Sequence, residues 1–271
     1  MITILGATGF VGTALKNRLQ KQGTNVCGLS RPIFDLGKKE TYPSIPKQTR
    51  VLVHSAGPAG SEHSEDRYWN ECVKATYDLV EFINSKRKNI ELIIYVSSGA
   101  VYSPSETALT EESELKPGNL YAMTRLLSEN IISKKANCRA TILRLFFPYG
   151  PGQKSPRLIP ELTRKITAGE TIKLNNENGL PVLNPIFIED LAAIINDIIN
   201  SETNRIINIG GSEQLSIREI AEKIGRELHV QPKFEVENGE SKNFYCDCAY
   251  PCNTMMSTGL AKFLKQDKSN V

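Results

Sequence analysis

ITILGATGFVG, residues 2–12, is the stretch on which the fold turns. An apolar, β-branched run leads into glycines at positions 6, 9 and 12, and from Phe10 an amphipathic pattern follows, with Val11, Ala14, Leu15 and Leu19 on one face. In a strand–turn–helix context a GxxGxxG spacing has a physical meaning. The first glycine permits a tight turn, the second lets backbone approach a pyrophosphate, and the third lets the helix pack closely on the strand. The helix N-terminus then offers unpaired N–H groups and the positive end of its dipole to the anion. Glycines at this spacing also arise by chance, so the placement after a strand and before a helix carries the argument. Gly6, Thr8, Gly9, Phe10, Val11 and Gly12 are the candidate dinucleotide contacts of this loop.

Outward from the loop, NVCGL (25–29), VLVHSAG (51–57), IELIIYVSS (90–98) and ATILRLFF (140–147) read as further strands. Helical patterns over 10–22, 68–86 and 120–135 alternate with them. The alternation predicts an α/β fold, a Rossmann-type doubly wound parallel sheet over residues 1–150 that binds NAD(P). Residues 151–271 read as a smaller C-terminal α/β substrate-binding region, interleaved with the first. About two dozen residues separate the second and third strands; there IFDL (33–36) reads as a very short strand and TYPSIPKQ (41–48) as loop. The second crossover helix is therefore expected to be stunted or missing. From Pro148 the texture turns to YGPGQKSPRLIP, followed by a helix, a strand at TIKL, the segment NPIFIEDLAAIINDII (184–199) and an amphipathic helix at SIREIAEKIGREL (216–228). No element is assigned after Pro232, where periodicity is weak.

Composition narrows the class. A chain of 271 residues, 40% hydrophobic and 23% charged, can bury a sizeable core without staples. The net charge of +3 comes from interspersed charges, which argues against a nucleic-acid partner. No apolar run approaches the roughly 20 residues that span a bilayer, and Met1 leads straight into a strand without a basic leader, so a cytoplasmic protein off the membrane is expected. Cys27, Cys72 and Cys138 read as buried thiols. Cys246, Cys248 and Cys252, in CDCAYPC, lack a paired CxxC and a nearby histidine; they read as incidental loop thiols, and no metal is expected.

The end of the second strand reads Leu29, Ser30, Arg31, where NAD-preferring Rossmann proteins usually place an acid for the ribose hydroxyls. A hydroxyl and a guanidinium suit a 2′-phosphate, so NADP is preferred, with NAD the alternative.

YVSSGAVY ends the fourth strand with Ser97 and Ser98, and Tyr121, in YAMTR at the head of a helix, follows Ser98 by 23 residues. Together with GATGFVG, VLVHSAG, LRLFFPYGPG and NPIFIEDLA, in order over about residues 1–225, these motifs resemble the extended short-chain dehydrogenase/reductase family. That family includes NAD-dependent epimerases, dehydratases and reductases of nucleotide sugars. The resemblance implies Ser98 and Tyr121 on the substrate oxygen, and Arg125 where the family carries the lysine that holds nicotinamide ribose. It further implies Ala56 and Gly57 along the cofactor cleft, Asp35 and Leu36 near adenine, and Phe147 and Pro148 flanking nicotinamide. The chain departs from the family at Arg125, at Cys72 where NVxGT is frequent, and at Phe147 where sugar epimerases commonly carry asparagine. His54, after an apolar strand, is expected to be a satisfied structural histidine.

The chemistry of the residues agrees with those roles. A phenol with a pKa of about 10 is a poor base, and bringing it to about 7 takes roughly 4 kcal/mol. Arg125, one helical turn from Tyr121, supplies a permanent charge but cannot shuttle a proton as an ammonium can. The expected activity is hydride transfer between nicotinamide and a carbon of a nucleotide sugar. A keto-sugar reductase is favoured by Ser30, Arg31 and the short segment between strands two and three, and a 4-epimerase or dehydratase is the alternative. A catalytically impaired NAD(P)-binding regulatory protein is the alternative of another class. The expected partners are a small-molecule substrate and a second copy of the chain, docked through helices of the sheet face.

Overall fold

The short apolar runs do become strands. The computed structural model describes residues 1–58, 63–201 and 205–267. Its strands are β1 (Ile2–Leu5), β2 (Val26–Leu29), β3 (Val51–His54), β4 (Leu92–Ser98), β5 (Arg139–Leu145), β6 (Pro148–Tyr149), β7 (Thr171–Leu174), β8 (Val182–Leu183), β9 (Ile186–Phe187), β10 (Ile206–Ile209), β11 (Leu215–Ser216) and β12 (Lys233–Val236). The helices are α1 (Phe10–Lys21), α2 (Glu65–Tyr68), α3 (Ala75–Lys86), α4 (Leu120–Lys135), α5 (Leu158–Thr167), α6 (Ile188–Ser201), α7 (Ile217–Leu228) and α8 (Met256–Asp267). Among the described residues no helix is long and apolar enough to cross a membrane.

A central sheet runs β10-β5-β4-β3-β1-β2, the parallel Rossmann-type order expected. Ile2 stands opposite both Val26 and Val51, and Leu5 opposite both Leu29 and His54, so β1, β2 and β3 end level. The chain leaves β1 outward to β2 and returns across it to β3, which makes the carboxyl end of β1 the switch point where open α/β sheets bind ligands. Beyond β5, Ile142 donates to Arg205 at 3.0 Å and Phe146 to Ile209 at 2.8 Å, adding β10, a strand the sequence reading did not assign.

Between β2 and β3 no α-helix forms; a 3-10 turn, Lys39–Ser44, takes its place and overlaps the start of the stretch read as loop, and IFDL is turn rather than strand. The missing helix leaves a sheet face to cover. Phe34, Leu36, Tyr42 and Ile45 fill it, each at most 6% exposed. The Tyr42 hydroxyl donates to the Leu36 and Ala75 carbonyls at 2.7 and 3.2 Å, so its buried polar end is satisfied.

The helical pattern over 68–86 begins earlier, at Glu65, and is broken by a π turn, Trp69–Lys74, between α2 and α3. A π turn inserts an extra residue and rotates the phase of the exposed face, which a fixed 3.6-residue period does not register. The capping box of Ser216 and Glu219 starts α7 at Ile217. In the tail left unassigned, β12 pairs in parallel with β7, Lys233 opposite Thr171, and α8 follows.

The chain divides into two compact units: residues 1–103, 114–145 and 192–207 form one, and 104–113, 146–191 and 208–271 the other. Beneath the first unit's sheet surface lies a buried ion pair. Arg144 of β5 donates to Glu129 of α4 at 2.7 Å, with side chains 2% and 4% exposed. Ser97 donates to the same carboxylate, and Arg144 donates to the Tyr102 hydroxyl at 2.5 Å. This network ties α4 to β4 and β5. Removing one partner strands a buried charge, so Glu129→Ala is expected to cost about 3–5 kcal/mol. The check is the denaturant midpoint at unchanged m-value; a loss under about 1 kcal/mol would contradict a desolvated pair.

Candidate functional site

The glycine loop is built by contacts that exclude side chains. Gly6 has φ +81°, and a Cβ there would lie 2.9 Å from the backbone of Ala56. A Cβ on Gly12 would stand 2.2 Å from the Gly6 carbonyl oxygen, so α1 packs against its own entry turn as only glycine allows. The Gly6 and Ala7 N–H groups donate to Leu29 at 2.9 and 3.2 Å, fixing the loop to β2. Gly9 is the N-cap of α1; it supplies no side-chain cap, and the first turn holds no acid. Phe10, Val11 and Gly12, in that turn, therefore keep N–H groups without an intrahelical acceptor, where an anion is favoured.

A cleft of about 200 Å³ opens over this loop. Its walls gather Gly6, Thr8 and Gly9 from the loop, Ser30, Arg31, Asp35 and Leu36 from the segment after β2, and Ala56 and Gly57 after β3. Four further residues line it that sequence reasoning missed: Phe34, Ser55, Arg67 and Glu71. Ser55 was legible, lying between His54 and Ala56, and its hydroxyl donates to the Leu5 carbonyl at 2.8 Å. Arg67 and Glu71, paired at 3.1 Å, reach the cleft through α2 and the π turn, and no sequence spacing signals that. Ser30 is also a structural member. Its hydroxyl accepts from the Thr8 N–H at 3.0 Å and donates to the Leu29 carbonyl at 2.8 Å. Arg31 is exposed at the cleft wall. An Asp35 carboxylate oxygen accepts from the Gly37 N–H at 3.0 Å.

Strand alternation sends the two serines of β4 to different tasks. Ser97 is buried against Glu129, whereas Ser98 is half-buried and its hydroxyl accepts from the Ala100 N–H at 3.2 Å, capping the 3-10 turn Gly99–Val101. Helix α4 packs along β4 and this turn. Asn119 caps α4 by accepting from the Ala122 N–H at 2.9 Å, which sets Tyr121 in its first turn.

Arg125 follows Tyr121 by one turn, and its guanidinium carbon lies 5.1 Å over the Tyr121 ring. Although only 6% exposed, it donates to the Pro58 carbonyl at 2.6 Å, next to the cleft residue Gly57, and to the Tyr95 hydroxyl at 3.1 Å. Burial opposes its charge, but Tyr95, Tyr121 and Cys72 outweigh that opposition and the pKa is raised. Its Nε is buried without a hydrogen-bond partner among the described residues. The free N–H groups of α1 and the glycine cradle suit the diphosphate of a dinucleotide. Tyr68 packs against Tyr121, ring centroids 6.1 Å apart.

His54 is a correction to the expectation of a satisfied histidine. It is 1% exposed; its Nε2 lies 3.4 Å from the Thr76 hydroxyl, but Nδ1 has no partner among the described residues. Burial and the nearby Arg125 charge hold its pKa down at about 3, so the ring is neutral. Phe147 and Pro148 belong to the second unit. Phe147 sits at φ 45° with its ring edge-on to Phe244 at 5.8 Å, and Pro148 pairs with Ile186. Among the described residues no group of three or more His, Cys, Asp or Glu is gathered as metal donors.

Residues 2–210 match the model of the NAD dependent epimerase/dehydratase family. The chain is 23% identical to Protein CapI of Staphylococcus aureus over 97% of each chain. It is 26% identical to the dTDP-4-dehydro-6-deoxyglucose reductase of Escherichia coli over 70% of this chain and 63% of that one. In fold it is similar to a mutant UDP-glucuronic acid 4-epimerase of Bacillus cereus, solved with UDP-4-deoxy-4-fluoro-glucuronic acid and NAD. The TM-score is 0.88 at 20% identity, covering 100% of this chain and 99% of the other.

The neutral buried His54 has a pH signature. Its pKa is about 3 folded against 6.5 for the free side chain, so the unfolded chain takes up the proton first. The stability it carries is full above about 6.5 and falls as pH drops toward about 3. His54→Asn should therefore flatten the decline in denaturant midpoint between pH about 7.5 and about 5. Parallel declines in both proteins would refute this.

Proposed function

Because the chain belongs to the NAD dependent epimerase/dehydratase family, we propose that it is a nucleotide-sugar oxidoreductase, keto-sugar reduction being favoured over 4-epimerisation or dehydration. One observation carries the proposal: an uncapped, acid-free helix start under a glycine cradle, in the same unit as a guanidinium held over a tyrosine ring. A nicotinamide dinucleotide bound there supplies or accepts a hydride. The Gly6–Gly12 backbone would hold the diphosphate, and Arg125 stands where the family's lysine holds nicotinamide ribose.

Ser98 holds the carbonyl oxygen of the keto sugar, and Tyr121 gives that oxygen a proton as its carbon is reduced, or takes one in the reverse direction. The Arg125 charge, 5.1 Å from the ring, stabilises negative charge on the phenol oxygen as its proton leaves. Arg125 keeps its own proton throughout, so it orients and stabilises without shuttling. The second unit, which holds most of residues 151–271, is assigned to the substrate.

NADP is the preferred cofactor. Arg31 is an exposed guanidinium at the cleft wall beside Ser30, and no acid occupies the end of β2. The structural neighbour quoted above was solved with NAD, so the test must separate the two. A charge-assisted contact contributes about 1.5–3 kcal/mol, so Arg31→Ala should weaken NADPH by roughly 10- to 100-fold and leave NADH nearly unchanged. Equal losses for both would refute the preference.

A second copy is proposed to dock on α3 and α4, which pack together. Trp69, Tyr77, Met123 and Leu127 are 54%, 40%, 49% and 41% exposed, and Met123 and Leu127 lie one turn apart on α4.

Tyr121→Phe is the decisive variant. It should lower kcat for keto-sugar nucleotides by about 10²–10⁴ while dinucleotide affinity, read by fluorescence, stays within about threefold. An unmodified protein that binds NADPH but oxidises it with no keto-sugar nucleotide would favour the regulatory reading, which Arg125 and Cys72 in place of the family residues support.

A further inference from the structure

Three of the six cysteines fall within CDCAYPC, residues 246–252, and the cofactor cleft uses none of them. They differ in kind. Cys246 is 3% exposed with Sγ 3.6 Å from the Asn184 amide nitrogen, and burial pushes its pKa up to about 12. It is an inert core thiol.

Cys248 and Cys252 are only half-buried, and the reversal across Ala249–Pro251 turns both sulfurs onto one oxygen. The Tyr250 carbonyl lies 3.6 Å from Cys248 Sγ and 3.9 Å from Cys252 Sγ. Cys252 also donates to the Gly210 carbonyl at 3.2 Å. Two thiols set on one acceptor differ in acidity. The neighbouring Cys252 lowers the pKa of Cys248, whereas Cys252 itself is raised and keeps its proton. The acids facing the pair, Glu111 and Asp190, both act against a thiolate, so the lowering originates within the pair and its backbone partners. Every other cysteine, Cys27, Cys72, Cys138 and Cys246, is shifted upward by burial.

We propose that Cys248 and Cys252 form a thiol-exchange site for small-molecule disulfides, Cys248 as the attacking and Cys252 as the resolving residue. The Cys248 thiolate attacks one sulfur of the disulfide; an S–S bond forms to Cys248, the original S–S bond breaks, and one thiolate leaves. Cys252 loses its proton and attacks Cys248 Sγ, closing the Cys248–Cys252 disulfide and expelling the second thiolate. The two protons of the protein dithiol end on the two released thiols. The protein pair is oxidised by two electrons and the small disulfide is reduced by two. Once the bond closes, the Cys252 proton no longer reaches the Gly210 carbonyl.

The test uses the full reduced chain and glutathione disulfide, read by peptide mass mapping. A peptide carrying both residues and lighter by two hydrogen atoms is expected. With Cys252→Ser the reaction should stop at glutathione attached to Cys248, and Cys248→Ser should leave Cys252 unmodified. On the unaltered protein, iodoacetamide at pH about 6.5 should alkylate Cys248 about tenfold faster than Cys138 or more. Equal alkylation rates at these two cysteines, or no glutathione captured by Cys252→Ser, would overturn the proposal.

Discussion

The approach of α1 to its own entry turn is the constraint on which the candidate site depends. With 2.2 Å between a would-be Cβ of Gly12 and the Gly6 carbonyl oxygen, the helix begins against the loop whose Gly6, Thr8 and Gly9 line the cleft. A side chain at position 12 would lever α1 away from β1 and redirect its first N–H groups together. The bonds from Gly6 and Ala7 to Leu29 and from Thr8 to Ser30 then pass the loop's geometry to the end of β2. Ser30 is thus both a wall of the cleft and a brace for the loop.

A second layer orients α4. Glu129, on the buried face of α4, pairs with Arg144 of β5, with Ser97 and Tyr102 on the same network, so α4 cannot rotate without unpairing buried charge. Tyr121 and Arg125 inherit that orientation. Arg125 is held in turn by the Pro58 carbonyl and the Tyr95 hydroxyl, and its charge helps keep His54 neutral across the Tyr95 ring, 5.1 Å from the histidine. Arginine suits this position for a physical reason. Its planar fork reaches two separate buried acceptors with two different nitrogens, where a lysine's donors all radiate from one atom.

The short segment between β2 and β3 has a structural consequence as well. A 3-10 turn and the side chains of Phe34, Leu36, Tyr42 and Ile45 cover the face that a crossover helix would otherwise shield. The same segment presents Arg31, Phe34 and Asp35 to the cleft. Economy of chain there brings the cofactor wall and the core into one stretch.

Periodicity and glycine placement were enough, from sequence, for the parallel sheet, for α1, and for α4 at its observed bounds, because each rests on local patterning that tertiary contacts reinforce. The gathering of Gly6, Ser30 and Ala56 in one cleft was legible for the same reason: residues at the ends of adjacent parallel strands must meet. Other features were decided only by the tertiary structure. α2 and the π turn over 69–74 brought Arg67 and Glu71 to the cleft, His54 was buried with Nδ1 unpartnered among the described residues, β10 and β12 found partners distant in sequence, and Cys248 and Cys252 converged on one carbonyl. A local pattern fixes which face of an element is apolar. Pairing between distant segments, and the desolvation that shifts a buried group's charge, exist only once the chain has closed around them.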